Sequence, residues 1–328
     1  MTTPSGSNPA GPRTAGDLAS LDDAYDAEAT PLARAAQHSL LARQTQAAPG
    51  RAGAVPRPRS TRVMVVANQK GGVGKTTTTV NVAAALAQLG QRVLVIDLDP
   101  QGNASTALSI EHRRGVPSTY DGLVDGRPLE EIAVASPDLP GLFVVPATID
   151  LAGAEIELVS VVAREGRLRK AIHGHPWVVT DAVRAAEVEE RFDYVLIDCP
   201  PSLGLLTLNA LVAGDEMMIP IQAEYYALEG LGQLLETVDM VRAHLNPDLA
   251  VTTILLTMYD ARTRLAAGVA EEVRGHFGDQ VLRTNIPRSV RVSEAPSYGQ
   301  TVMTYDPGSP GALSYFEAAR EIATKGAR

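Results

Sequence analysis

The chain holds one cysteine, Cys199, in 328 residues. That excludes an internal disulfide framework, a cysteine-rich metal site and a cysteine-ligated iron–sulfur cluster. It has no apolar signal core and no apolar run long enough to cross a bilayer, so a cytoplasmic location is expected. It also lacks an excess of positive charge: 29 Lys and Arg stand against 38 Asp and Glu, a formal net charge of −9. Attraction of the whole protein to a polyanion is thereby excluded, and any such binding needs a local patch. No repeat at solenoid period is visible. The first sixty residues, rich in Ala, Pro, Gly, Ser and Thr, have almost no large aromatic content. They bury too little to offset the entropy of ordering, so 1–60 is expected to be a disordered extension and 61–328 the folded domain. Within the extension, Ala27 to Ala47 is partly helix-compatible, with Leu32, Leu40 and Leu41 as sparse apolar positions.

What is present is a 45% hydrophobic chain in which short apolar runs alternate with helical stretches. Val63–Asn68, Arg92–Asp97, Leu142–Ala147, Tyr194–Asp198, Glu216–Gln222, Val251–Met258, Val281–Ile286 and Thr301–Tyr305 read as strands. Thr77–Leu89 reads as a helix with Val82, Leu86 and Leu89 on one face, and the region 152–191 as chiefly helical. A last helix, Gly311–Lys325, carries Leu313, Phe316, Ala319 and Ile322 at helical spacing and is expected to dock on the core. It lacks the strong apolar and cationic faces of a membrane anchor. The alternation predicts an α/β fold, a mostly parallel twisted sheet flanked by helices on both faces. His173 and His175 lie two apart in a Gly/Pro turn, a poor arrangement for a metal pair, and are read as part of an inert loop.

The run Lys70-Gly71-Gly72-Val73-Gly74-Lys75-Thr76-Thr77 follows an apolar strand and opens a helix. Its three glycines let backbone N–H groups converge on phosphate oxygens, and the helix N-terminus adds partial positive charge. A nucleoside triphosphate is the expected ligand, cradled by Gly71, Gly72, Val73, Gly74, Thr76 and Thr77. Lys75 should reach the β- and γ-phosphates, and the Thr76 hydroxyl should bind Mg²⁺. Two further strands end in carboxylates, Asp97-Leu98-Asp99-Pro100 and Asp198-Cys199-Pro200-Pro201. Strand C-termini line the crevice of an open α/β sheet. Asp198 is expected to hold Mg²⁺ through a water and Asp99 to orient or deprotonate the attacking water. Asp97 is either a support behind the magnesium site or a structural anchor. Cys199 reads as a small buried residue at a strand end.

These motifs, with Leu255–Thr263, Ile286–Ser297 and Glu224-Tyr225-Tyr226-Ala227-Leu228-Glu229-Gly230, resemble the ParA/Soj chromosome-partitioning ATPases from about Arg62 onward. The resemblance implies a P-loop NTPase of the deviant Walker A type in the MinD/ParA superfamily. It implies that Lys70 reaches across an ATP-dependent homodimer to the partner's nucleotide, and that Gly71 permits the close approach. It implies that Asp99 serves hydrolysis but not dimer formation, and that Met258 and Ile286-Pro287 pack the adenine. Arg262, Arg288 and Arg291 match positions the family uses on DNA. The implied activity is conversion of ATP and water to ADP and phosphate, with nonspecific binding of double-stranded DNA. The resemblance further implies a ParB-like centromere-binding protein that stimulates hydrolysis, and a nucleoid-associated location.

The first sixty residues carry six basic and five acidic residues, the remainder 23 basic and 33 acidic. DNA affinity must then come from a patch doubled by dimerisation: about −2.7 in salt slope for three arginines and about −5 for six. The alternative is a ParA-like spatial regulator positioning another cargo, polar or membrane-associated, with the N-terminal tail recruiting a polar scaffold protein and no direct membrane insertion. A ligase of the same fold lacks an evident small-molecule constellation here.

Overall fold

The computed structural model describes residues 55–224 and 227–326. The stretch Ala27–Ala47 therefore lies outside the described residues, as do Tyr225 and Tyr226. Seven strands form one sheet: β1 (Arg62–Val66), β2 (Val93–Asp97), β3 (Val134–Ala135), β4 (Leu142–Val145), β5 (Tyr194–Asp198), β6 (Glu216–Gln222) and β7 (Ala250–Thr257). Their spatial order is β3-β4-β2-β5-β1-β6-β7, all parallel except the β3–β4 pair.

Both faces of the sheet are covered, which is why the strands read as continuous apolar runs rather than alternating ones. Along β1, Val63 and Val65 enter one core and Met64 and Val66 the other, the period-two outcome of the pleat. The Met64 side is packed by α1 (Lys75–Gln88), α2 (Asn103–Ala107) and the C-terminal helix. The Val63 side is packed by α3 (Leu151–Leu158), α4 (Arg167–Gly174), α6 (Leu205–Ala213), α7 (Ala227–His244) and α8 (Arg264–Phe277). The short α5 (Ala182–Ala185) has its N-terminus capped by Asp181, whose carboxylate accepts from the N–H groups of Val183 and Arg184.

Two of the expected strands take another form. The Val281–Ile286 stretch runs beside β7, with Leu282 N–H on the Ile254 carbonyl at 2.9 Å and Ile286 N–H on the Leu256 carbonyl at 2.8 Å, but makes isolated bridges only. Thr301–Tyr305 is helical: α10 (Val302–Tyr305) follows the short α9 (Val290–Glu294). The Val302 N–H is bonded to Asn81 Oδ1 of α1 at 2.8 Å, and the Tyr305 N–H to the Thr301 carbonyl at 2.9 Å. A short apolar run carries no period long enough to separate strand from buried helix, and the tertiary contact with Asn81 decides. In α11 (Pro310–Gly326) the buried face is Ala312, Tyr315, Ala319 and Ile322, whereas Leu313, expected to dock, is exposed. The folded region also begins before residue 60: Arg57 Nε pairs with Asp193 Oδ1 at 2.8 Å, and Val55 is buried.

A polar lock closes the end of the sheet remote from the glycine loop. Arg62 binds Glu216 with both arms, at 2.6 and 2.7 Å, donates to the Ile322 carbonyl near the end of α11 at 2.9 Å, and Glu216 also accepts from Thr252 Oγ1 at 2.7 Å. Replacing Arg62 by Met leaves a largely buried carboxylate without its cation. Urea unfolding is expected to show a loss of about 3 kcal/mol, most of it restored when Glu216 is also made apolar.

Candidate nucleotide site

Strand register assembles the acidic half of the site. Asp97 on β2 pairs with Asp198 on β5, and Asp198 pairs in turn with Val66, the last residue of β1. The loop 67–74 leaves β1 beside them and delivers Lys75 as the first residue of α1. Gly72 and Gly74 have φ of +75° and +87°, a backbone shape that L side chains resist. Lys75 is buried, its Nζ 3.2 Å from the Lys70 carbonyl. Burial pulls its ammonium below the ordinary lysine value, against the opposing pull of Asp198.

Asp198 is fully buried, and burial followed by the neighbouring Asp97 charge pushes its carboxyl well above the ordinary range. Its Oδ1 accepts from Thr79 Oγ1 at 2.9 Å, while its Oδ2 is buried with no hydrogen-bond partner. A buried, orphaned carboxylate oxygen beside a second carboxylate fits a cation better than it fits an empty interior. Thr76, close enough to pull the Asp198 carboxyl down against the effect of burial, joins it as the second residue that could hold a divalent ion. Asp97 is raised by burial, even though it accepts from Ser105 N–H at 2.9 Å, Ser105 Oγ at 2.7 Å and Asp99 N–H at 3.2 Å. These bonds make it the anchor of the following turn.

Asp99 lies in that turn, its Oδ1 accepting from Gln101 N–H at 3.0 Å. Its other carboxylate oxygen makes no bond among the described residues. Lys70 stands apart from this buried group: half-exposed, it pairs with Glu224 just beyond β6 at 2.7 Å. Met258 has φ +49°, with its sulfur 3.3 Å from Gln222 Nε2, and Thr257 Oγ1 beside it ties β7 to the Val73 carbonyl at 2.8 Å. The Ile286-Pro287 segment lies next to it through the Tyr259–Pro287 bridge. Ile286 points into the core, which leaves Pro287 and Met258 as the accessible surface there.

The three arginines sit on neighbouring segments. Arg288 N–H bonds the Tyr259 carbonyl at 3.3 Å, Arg262 follows two residues past Asp260, and Arg291 is in α9. Arg262 grips Asp260 with both arms at 2.9 and 2.8 Å, holding that exposed carboxyl down at about 2. Arg291 pairs with Glu294 at 3.2 Å and Asp306 at 3.4 Å. Arg288 is exposed and makes no ion pair among the described residues. Sequence reasoning missed Thr79, Ser105, Thr257 and Glu224 as parts of the site. Thr79 had a local signal as the last of four consecutive threonines, and Thr257 and Glu224 lay inside quoted motifs without a role of their own; Ser105 reaches the site through tertiary contact alone.

An AAA domain family model matches residues 61–251. The chain is 52% identical over 265 residues to the sporulation initiation inhibitor protein Soj of Bacillus subtilis, covering 81% of this chain and 99% of that one. It is 50% identical to the chromosome partitioning protein ParA of Myxococcus xanthus, covering 80% and 87%. Among solved structures, cobyrinic acid a,c-diamide synthase of Mycobacterium smegmatis with bound ADP and magnesium is 38% identical, with a TM-score of 0.64 over 79% of this chain and 92% of that one. With identity of about one half across nearly the whole described domain, on a sheet whose strand ends carry the glycine loop and both carboxylates, the chain belongs to the ParA/Soj family of chromosome-partitioning ATPases.

Proposed function

We propose that this chain hydrolyses ATP to drive a monomer–dimer cycle that binds double-stranded DNA without sequence preference and lets go when a ParB-like partner stimulates hydrolysis. The observation that carries the reading is the division of labour between two lysines of one loop. Lys75 is buried, whereas Lys70 is half-exposed and held only by a surface pair with Glu224, which a second protomer could displace. Gly71 is compatible with it: a Cβ there would meet nothing within 4 Å, so the space over this residue is open to another chain.

The bound ADP and magnesium of the Mycobacterium synthase support the same ligand class here. Magnesium ATP supplies the transferable phosphoryl group and the charge neutralisation that the reaction needs. The chain's own part is to hold and orient. The loop N–H groups and Lys75 would hold the phosphates, and Thr76 and Asp198 would hold the ion. Asp99 aligns the attacking water and accepts its proton, and Lys70 reaches the partner's nucleotide. Incomplete positioning of water and charge keeps turnover slow until the partner protein acts. A cytoplasmic, nucleoid-associated location follows from the DNA-bound state. Among the described residues no helix is long and apolar enough to cross a membrane.

Arg288, exposed and without an ion pair, is the arginine most available to phosphate. For Arg288→Glu with ATP, the salt slope of DNA binding is expected to fall by about 2, one phosphate per protomer at ~0.9 each. A fluorescence-anisotropy salt series checks this. An unchanged slope and affinity would remove the arginine face from the DNA cycle.

A further inference from the structure

The helix α3 is apolar on two sides. Leu151, Ala154 and Leu158 are buried in the core. Away from the core, Ile156 is 79% exposed, and just past the helix Val159 is 62% and Val162 89% exposed. Ile149, 50% exposed, stands seven residues before Ile156, a spacing that returns to the same side of a helix. Exposed aliphatic residues scattered singly are ordinary, but four within one short segment form a ridge of the kind that marks an interaction surface.

The ridge is held in place by contacts with the rest of the domain. Arg164 Nη1 donates to the Val159 carbonyl at 2.8 Å, and Asn209 Nδ2 of α6 donates to the Arg164 carbonyl at 2.9 Å. Ala163 has φ +54°, a shape that disfavours any residue with a Cβ and persists where surrounding contacts impose it. Glu155 turns inward, accepting from the Leu206 N–H at the start of α6 at 3.3 Å. Beside the ridge lies an open cavity of about 550 Å³, its wall including Ile149, Asp121, Asp150 and Glu157. Arg114, also in the wall, is already paired with Asp150 at 2.9 Å. Glu157 accepts from the Tyr120 hydroxyl at 2.7 Å and Asp121 from the Ser118 N–H at 2.8 Å, both neutral donors. Neither carboxylate makes an ion pair among the described residues, so uncompensated negative charge borders the aliphatic ridge.

That sign decides the occupant. DNA and an anionic lipid surface would be repelled. A second copy packed ridge to ridge about a two-fold axis would set the carboxylates against their own images. We propose that this face of α3 docks a partner protein through a segment that lays two aliphatic residues, one helical turn apart, on Ile156 and Val159 and inserts a lysine or arginine into the acidic cavity. The face lies outside the glycine loop and the strand-end carboxylates, and the proposal stands apart from the ATP cycle.

The test is fluorescence anisotropy with a labelled helical peptide of leucine and lysine, its leucines one turn apart, titrated with the full chain in the absence of nucleotide. A second peptide has glutamate in place of lysine. The chains compared are wild type, Ile156→Ser with Val159→Ser, and Glu157→Gln, all changed at exposed positions and checked for folding by circular dichroism. The lysine peptide is expected to bind the wild type, to bind the double variant about tenfold more weakly through lost apolar contact, and to bind Glu157→Gln about threefold more weakly through a lost exposed charge pair. The glutamate peptide is expected not to bind. Absence of lysine-peptide binding by the wild type overturns the proposal. So does equal affinity for the double variant, which would reduce the binding to attraction by the net charge. Two further measurements on the double variant address the rival occupants. Loss of self-association in sedimentation would give the ridge to a second copy, and loss of cosedimentation with phosphatidylglycerol vesicles would give it to a membrane; either result overturns the proposal.

Discussion

Alanine at Asp99 is expected to lower ATP turnover by about 10²–10⁴-fold, the span of a lost general base, while leaving ATP-dependent self-association intact. The two effects separate because Asp99 is not part of the phosphate cradle. Its Oδ1 is occupied by the Gln101 N–H, its other oxygen makes no hydrogen bond among the described residues, and the turn is anchored independently by Asp97 and Ser105. Removing the carboxylate therefore spares the anchor. Phosphate release and sedimentation with ATP, measured on the same preparation, check both halves. A variant that hydrolyses at the wild-type rate would take Asp99 out of the reaction, and one that no longer self-associates would make it a structural residue.

Alanine at Lys70 is expected to have the complementary effect: ATP binding retained, the ATP-dependent dimer lost and turnover lost with it. In the protomer Lys70 contributes little, since its pair with Glu224 joins side chains that are 45% and 46% exposed. Such pairs are worth ~0.2–1 kcal/mol. Its effect must come from an ammonium placed against a triphosphate in another chain, where charge-assisted bonds are stronger. The same pair makes a second comparison possible. Glu224→Gln frees Lys70 from its contact within the protomer and is expected to tighten ATP-dependent dimerisation by no more than about fivefold per protomer. Sedimentation across a protein concentration series with ATP separates the two variants. A stable ATP dimer of the Lys70→Ala protein would remove the cross-dimer role.

Much of the fold was legible because six of the eight apolar runs are strands buried on both faces, and such runs stand out in a sequence whose loops are polar. The two that were misread, 281–286 and 301–305, are short, and neighbours decide their form: β7 for the first, Asn81 of α1 for the second. Leu313 fitted the helical period but not the docking angle of α11, which places Tyr315 in the core instead.

The glycine loop was legible for a different reason. Phosphate binding by backbone requires particular residues at fixed spacing, so Gly72, Gly74, Lys75 and Thr76 announce their chemistry without any tertiary information. The carboxylates at strand ends could be named one by one. Their adjacency could not, because it depends on β5 inserting between β1 and β2, a topological fact that sets Asp97 against Asp198 in register. Burial of that pair and the orphaned Asp198 oxygen follow from this arrangement, and the hold of Glu224 on Lys70 from β6 lying on the other side of β1. Local pattern thus determined which chemical groups the chain carries and which elements present them. Only the packed sheet decided which groups share a dielectric and a hydrogen bond, because those depend on distances between residues far apart in the chain.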